Sequence, residues 1–256
     1  MTWNPAKYMR LMAASQLPDR QLALLRQFDT PTICNAIELF AVRPRNTGYM
    51  DHRIRACFPE MPPLAGYAAT ATFRGAFEKS ESSSYATLDE QVRRFQEIPG
   101  PPVVVFQDLD DPPVAATFGE IMCATYQRFG AAGLVTSGAA RDLDQVRRLG
   151  FPAFASGVIC SHGYSHIVSL HVPVRVGGLA VHPGSLLHAD ANGVTSIPAE
   201  IAGEVADVAA EYAAAEAVVL EFLKTGSKNV DDYSQARKES LRRIAALGEK
   251  VRSKAR

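Results

Sequence analysis

The alternation of apolar and polar positions along the chain predicts an α/β protein. In the middle of the chain, short apolar runs bounded by Gly or Pro alternate with amphipathic segments, a pattern typical of strands alternating with helices. The predicted strands of this region are 66–73, 103–107, 133–137 and 152–156. The predicted helices are 85–97, 119–129 and 142–149.

After Gly157 the pattern changes to short β segments separated by turns rich in Gly, Pro and Asn. The segments are 166–172, 174–176, 179–182, 186–188 and 194–197, and the turns are Gly177-Gly178, Pro183-Gly184 and Asn192-Gly193. Pro198 then begins a predicted Ala- and Glu-rich helix that ends near Lys224. Helices that flank a mixed sheet indicate one compact α/β domain.

Further helices are predicted at both ends of the chain. Residues 1–28 form a predicted helical arm, and residues 226–256 form a charged, helical tail. Between them, residues 29–225 form the α/β domain, whose first helix is expected to have Thr30 as its cap and Pro31 at its first position. The terminal helices are available for contacts between subunits.

Composition narrows the class of protein. The 256 residues carry 27 basic and 27 acidic side chains, so charge gives no reason to expect a nucleic acid or an anionic membrane as partner. The apolar stretches are too short to span a bilayer, and the first ten residues show no secretory signal. The four cysteines, which form no CxxC motif, are typical of reduced thiols; they are Cys34, Cys57, Cys123 and Cys160. We therefore expect a soluble cytoplasmic protein.

The chemistry is concentrated in Gly119-Glu120 and Arg141-Asp142, which are separated by twenty residues. The second pair follows the predicted strand 133–137, a common place for catalytic side chains in α/β proteins. Asp142 is a suitable ligand for a hard cation, and Glu120 could hold waters of the same ion. Arg141 could bind a substrate carboxylate or a developing oxyanion.

A helix that begins at Gly119 would add unpaired backbone N–H groups at Glu120, Ile121 and Met122, which favour a bound anion. Cation, guanidinium and helix N-terminus together suit a 2-oxo acid, whose cleavage beta to the oxo group leaves an enolate. A simpler alternative stays open from spacing alone. Asp142 could cap its own helix beside a surface ion pair, and Glu120 could interact only with the helix dipole.

The segment GEIMCATYQRFGAAGLVTSGAARDLDQVRRLGFPAFASG resembles the family named after the regulator of RNase E activity A, RraA. That family shares Gly-Asp/Glu, twenty residues, then Arg-Asp, and it has DGAVRD…LGFPVFARG where this chain has SGAARD…LGFPAFASG. Further similar segments are DTPTICNAIELF, GYAATATF and HVPVRVGGLAVHPGSLLHADANGV, so the likeness spans residues 28–216. The family includes class II pyruvate aldolases that act on 4-hydroxy-4-methyl-2-oxoglutarate and 4-carboxy-4-hydroxy-2-oxoadipate.

The resemblance implies a role for each matching residue. Asp142 would bind a divalent metal, Mg²⁺ or Mn²⁺, directly, and Glu120 would bind it through water. Arg141 would bind pyruvate and stabilise its enolate. The backbone amides of Gly119, Ile121 and Met122 would hold the substrate carboxylate.

The resemblance also implies a layered α/β/β/α fold of the swivelling-domain type, with a long C-terminal helix. Such chains assemble as trimers or hexamers with the active site between subunits. A Glu from the neighbouring subunit's C-terminal helix would complete the metal site. Glu216 is the nearest match, and Glu211 or Glu221 could substitute.

Residues 157–171 depart from the family pattern and put the substrate in doubt. They bring His162, Tyr164, His166 and His171 where family aldolases have a loop containing Gly, Pro and Arg. The histidine spacing does not predict a zinc site, because Gly163 argues against the helix that His162 and His166 would need. Cys123 is expected to be a buried apolar residue rather than a nucleophile.

The sequence thus predicts a metal-dependent aldolase, a carbon–carbon lyase that releases pyruvate from a 4-hydroxy-2-oxo acid, with oxaloacetate decarboxylation as a side reaction. The alternative is a non-catalytic regulator that binds a ribonuclease or another protein. The family's regulators lack the Asp that follows the Arg, whereas this chain has Asp142.

Overall fold

The computed structural model describes residues 16–78 and 85–254, so most of the predicted arm (1–28) lies outside the described residues. The helices are α1 (Asp19–Leu25), α2 (Thr30–Phe40), α3 (Leu88–Arg93, continued by a 3₁₀ turn at Arg94–Glu97), α4 (Glu120–Arg128), α5 (Leu143–Leu149), α6 (Ala202–Lys224) and α7 (Val230–Lys254). The strands are β1 (Arg55–Ala56), β2 (Leu64–Arg74), β3 (Pro102–Asp108), β4 (Ala116–Phe118), β5 (Gly133–Thr136), β6 (Ala139–Ala140), β7 (Ala153–Ala155), β8 (Gly157–Val158), β9 (His166–Leu170), β10 (Val174–Val176), β11 (Leu179–Val181), β12 (Leu186–Asp190) and β13 (Gly193–Ile197).

Eight strands form one mixed sheet in the order β1-β7-β5-β3-β2-β12-β13, with β9 also paired to β2. Strands β2, β3, β5 and β7 are parallel, whereas β1, β9, β12 and β13 join antiparallel. The parallel strands are apolar and buried, as strands covered on both faces must be. The predicted α/β fold with mixed sheets and a long C-terminal helix is confirmed.

A second, three-stranded parallel sheet has the order β4-β6-β8, and none of its strands is predicted from the sequence. Each of these strands has only two or three residues, too few for an apolar period to show. Consecutive strands β3 and β4, β5 and β6, and β7 and β8 each lead from the large sheet into the small one. Arg141 therefore directly follows β6, and not β5 as the sequence predicts.

The start of α2 differs by one residue from the prediction, because Asp29 rather than Thr30 is its cap. The Asp29 carboxylate accepts a 2.8 Å hydrogen bond from the Thr32 backbone N–H. The amide of Thr30 instead donates to Asp190 at 2.8 Å, and its hydroxyl lies 3.0 Å from Nδ1 of the fully buried His188. These bonds fasten α2 to strand β12.

Apolar side chains cover both faces of the large sheet. On one face they share a core with buried residues of α1, α2, α4, α5, α6 and α7. On the other face they pack against the hairpin formed by β10 and β11, whose turn is the predicted Gly177-Gly178. Both glycines have positive φ angles, 51° and 79°, as a tight two-residue hairpin turn requires.

The charged tail folds back onto its own chain. Helix α7 packs against α6 and α2, and it buries Leu247 and Val251 in the same core as the sheet. Lys250 of α7 also contacts Glu211 of α6, with 2.7 Å between Nζ and Oε1. The tail thus helps to stabilise the domain. Across residues 16–78 and 85–254, no helix is both long and apolar enough to cross a membrane.

We predict that Leu247→Ala destabilises the protein by about 2–5 kcal/mol, because it leaves a cavity between α7 and the core. The matched control is Leu241→Ala on the same helix, where Leu241 is 53% exposed. That change should alter the free energy of unfolding by less than about 0.5 kcal/mol. Urea unfolding of both variants measures the difference, and equal effects would show that α7 does not pack on the core.

Candidate active site

Strands β4 and β6 bring the two halves of the sequence motif together. They are parallel, with Ala116 opposite Ala139 and Phe118 opposite Ala140. The backbone N–H of Arg141 donates to the carbonyl of Phe118 at 3.1 Å. Because the carboxyl ends of parallel strands meet at one edge, Gly119 lies beside Arg141 and Asp142.

Gly119 is the cap of α4 and lies directly against this pair. A Cβ atom at Gly119 would lie 2.5 Å from Asp142 Oδ2 and 3.0 Å from Arg141 Nε. Its φ angle of −151° is accessible to any residue, so the position does not need glycine for its backbone conformation. It needs glycine for space, because any side chain would displace Asp142 or Arg141.

Asp142 is in an unusual conformation for the residue that precedes a helix. Its φ and ψ angles are 55° and 40°, in the left-handed region, and its side chain does not cap α5. Instead, Oδ2 accepts a 3.1 Å hydrogen bond from the backbone N–H of Glu120 in α4. The alternative that Asp142 caps its own helix is therefore wrong. Strained backbone of this kind is concentrated at functional sites.

Arg141 and Asp142 form a loose pair, with 3.8 Å between Nε and Oδ2 and about a third of each side chain exposed (35% and 33%). Both side chains thus keep surface that a ligand can reach. No acceptor within the described residues binds the amide N–H groups of Gly119, Ile121 or Met122. The edge therefore offers a guanidinium, a carboxylate and free helix-terminal donors, which suit an anion that also binds a cation.

The glutamates predicted to complete the metal site have different environments. The Glu120 side chain is exposed at the start of α4. Glu216 lies on α6 in contact with Tyr212, where burial and then the Glu216 carboxylate raise the pKa of the Tyr212 phenol. Of the substitutes, Glu211 binds Lys250 and Glu221 binds Lys224, each at 2.7 Å or less.

In the part of the chain that the structure describes, no three His, Cys, Asp or Glu side chains are grouped to hold a metal ion. Asp142 and Glu120 still fit a hard cation such as Mg²⁺, which takes one or two protein carboxylates and keeps several waters. The contribution of Glu216 from a neighbouring subunit stays a prediction.

The remaining candidates near the motif have separate environments. Cys123 is fully buried in the core, as expected, and burial raises the pKa of its thiol far above the usual range. His162 contacts the carbonyl of Gly163, His166 contacts that of Phe77, and His171 contacts Glu97. The histidines of residues 157–171 thus bind different partners.

Three further polar residues were not predicted from the sequence as site residues: Asp108, Ser137 and Ser156. Each lies at or just after the end of a parallel strand, β3, β5 or β7. The signal that singled out Arg141-Asp142, a polar residue following an apolar run, is also present at Asp108. These residues line a cavity that is separate from the motif.

The fold and the site together define an α/β protein with a glycine-capped helix beside an Arg-Asp pair. The profile of the RraA-like family, described as Aldolase/RraA, matches residues 30–195. The chain therefore belongs to the RraA-like family, as its motifs predict.

Relatives agree with this assignment. The chain is 33% identical over 105 residues to "Putative 4-hydroxy-4-methyl-2-oxoglutarate aldolase" of Halalkalibacterium halodurans, a match that covers 41% of this chain and 49% of the relative. It thus spans about half the length of that relative.

Two solved structures share the fold. An uncharacterised protein of Pseudomonas syringae has a TM-score of 0.69 and 22% identity, with 87% of this chain and 94% of that one covered. RraAS2 of Streptomyces coelicolor, described as an unusual member of the RNase ES inhibitor RraA protein family, has a TM-score of 0.64 and 23% identity, with 82% and 98% covered. At these identities the likeness shows the fold alone.

We predict that Gly119→Ala weakens Mn²⁺ binding by about 10-fold or more, because the added methyl group would displace the Asp142 carboxylate. The control is Gly203→Ala on α6, where a Cβ meets no atom within 4 Å. Titration calorimetry with MnCl₂ measures both variants. Wild-type affinity in Gly119→Ala would show that Asp142 does not hold the ion.

Proposed function

We propose that this protein is a divalent-metal-dependent class II aldolase, which cleaves a 4-hydroxy-2-oxo acid to pyruvate and a second carbonyl compound. The observation that carries the proposal is the close approach of Gly119, Arg141 and Asp142 at the N-terminus of α4. The missing side chain at Gly119 lets the carboxylate of Asp142 and the first amide of the helix meet. If Asp142 only capped its own helix beside a surface ion pair, this close approach would not be needed.

The N-terminus of α4 would bind the carboxylate of the substrate. The amides of Gly119, Ile121 and Met122 point from a helix end that carries partial positive charge. A carboxylate bound there would place the adjacent oxo group toward the Arg-Asp pair. The helix thus orients the reacting end of the substrate.

Arg141 would stabilise the charge that develops in the reaction. Loss of the 4-hydroxyl proton lets that oxygen form the carbonyl group of the second product as the C3–C4 bond breaks. The electron pair of that bond stays on the pyruvate fragment, delocalised onto its oxo oxygen. The bond from the Arg141 backbone N–H to the Phe118 carbonyl places this residue at the edge, from which its guanidinium would donate to that oxygen. Protonation of the fragment at carbon then yields pyruvate, and oxaloacetate decarboxylation passes through the same enolate.

Asp142 would bind the divalent cation, Mg²⁺ or Mn²⁺, and Glu120 would hold one of its waters. When bound, the cation supplies Lewis-acid stabilisation of the same oxygen. We further propose that the chain works as a homotrimer or homohexamer, in which Glu216 of one subunit reaches the site of the next. The partial exposure of Glu216 on α6 is compatible with this role.

The comparisons support an aldolase at the level of the family. The description of the family includes aldolases, and the Halalkalibacterium relative is named as one. The regulator alternative has its own precedent, because the Streptomyces protein that shares this fold is named as a member of an RNase ES inhibitor family. A measurement of turnover distinguishes the aldolase from the regulator.

The deciding assay is pyruvate release from 4-hydroxy-4-methyl-2-oxoglutarate and from oxaloacetate, with Mg²⁺ and then with chelator. Metal-dependent release from either compound supports the proposal. A folded protein that binds Mn²⁺ but releases no pyruvate would have another substrate. A folded protein that does neither would be a binding protein.

We predict that Asp142→Ala lowers metal-dependent turnover by at least about 100-fold, because it removes the direct ligand of the cation. Asp144→Ala is the matched control, since Asp144 is 80% exposed and pairs only with Arg147 among the described residues. Steady-state pyruvate release measures both. Equal activity in the two variants would remove Asp142 from the mechanism.

Arg141→Lys should lower kcat by about 100-fold, because a single ammonium does not reproduce the planar donors of a guanidinium. Arg148→Lys on the exposed face of α5 controls for the loss of a guanidinium elsewhere. Near-normal kcat in Arg141→Lys would argue against contact between Arg141 and the enolate.

A further inference from the structure

A cavity of about 480 Å³ lies at the carboxyl ends of the parallel strands β3, β5 and β7. Its charged lining comes from Asp108, Asp110, Asp111, Arg53 and Arg175. None of the motif residues Gly119, Glu120, Arg141 and Asp142 contributes to it. Small-molecule sites often lie outside the carboxyl ends of strands in α/β proteins, and the volume falls in the range of such sites.

Asp108 is the buried polar group of this cavity. It is only 8% exposed, and its Oδ1 accepts a 3.0 Å hydrogen bond from the Asp110 backbone N–H. Its Oδ2 is buried and receives no hydrogen bond from any described residue. Burial, with a contribution from the Asp110 carboxylate, raises the pKa of Asp108 to about 6. A buried carboxylate oxygen of this kind requires a donor from a bound molecule or a proton of its own.

Arg175 supplies the positive charge of this cavity. Its backbone N–H donates to Gln107 at 2.8 Å, but its guanidinium forms no ion pair within the described residues. By contrast, Arg53 pairs with Asp51 at 2.7 Å. The lining therefore offers one buried carboxyl group and one guanidinium that a ligand can pair with.

Other polar groups of the lining are already engaged. Asp110 Oδ2 accepts from the amides of Gly75 and Ala76 at 2.7 and 3.0 Å. The Ser137 hydroxyl oxygen accepts from the Asp108 backbone N–H at 2.9 Å. The engaged groups shape the cavity. Asp108 and Arg175 remain to recognise a ligand, and the exposed Asp111 carboxylate adds negative charge to the same cavity.

We propose that this cavity binds a small organic acid, whose carboxylate pairs with Arg175 and whose hydroxyl or ammonium group donates to Asp108. A 2-hydroxy acid and a 2-amino acid share this chemistry. A phosphate dianion fits less well, because Asp108, Asp110 and Asp111 would repel it. The proposal is independent of the aldolase reaction, since it uses different residues.

Titration calorimetry on the full-length protein in chelator tests the proposal with three probes: glycerate, serine and propionate. Binding of glycerate or serine is expected, and the one that binds identifies the donor as hydroxyl or ammonium. Propionate has no donor for Asp108 and should bind about 10-fold more weakly. Absence of binding by both glycerate and serine, or equal binding of all three probes, would overturn the proposal.

Variants then locate the binding. Arg175→Gln, a change at an exposed side chain, should lower the affinity for the probe by about 10-fold or more. Asp108→Asn should also lower the affinity for the probe. A circular dichroism spectrum checks that this variant folds. Arg148→Gln, outside the cavity, should leave the affinity within about 2-fold. Binding that survives in Arg175→Gln but is lost in Arg141→Lys would place the probe at the candidate active site and overturn the proposal.

Discussion

The candidate active site depends on one steric constraint, the absence of a side chain at Gly119. Strands β4 and β6 lie side by side and direct the start of α4 against the Arg-Asp pair. A Cβ at Gly119 would approach Asp142 Oδ2 to 2.5 Å, well inside van der Waals contact. Because the position is free of a side chain, a helix N-terminus, a carboxylate and a guanidinium share one small volume.

The remainder of the fold holds this edge in place. The parallel core strands are buried on both faces, and the strand pairs that lead from the large sheet into the small one fix the register of β4, β6 and β8. Behind the sheet, the bonds from Thr30 to His188 and Asp190 attach α2, and α7 packs over α6 and α2. The left-handed backbone of Asp142 is maintained because its neighbours on both strands are fixed.

The same strand connections create two polar regions with different chemistry. At the ends of β4 and β6, helix-terminal amides and a partly exposed carboxylate favour an anion together with a cation. At the ends of β3, β5 and β7, a buried carboxyl group and the Arg175 guanidinium favour a molecule that carries both a donor and a carboxylate. Ser137 lines the cavity, and Arg141 follows it four residues later in the sequence.

The sequence alone determined the α/β class, the boundaries of most helices and strands, and the family. It also determined the motif of Gly119-Glu120 and Arg141-Asp142. Hydrophobic periodicity and local motifs are properties of consecutive residues, so they can be recognised without the structure. The sequence did not predict β4, β6 and β8, whose two or three residues are fixed by pairing with distant strands. Only the tertiary structure decided that Asp142 binds the amide of Glu120 and not its own helix. It also decided that Asp108 lies buried in a cavity, since burial and contact between residues far apart in sequence arise only on folding.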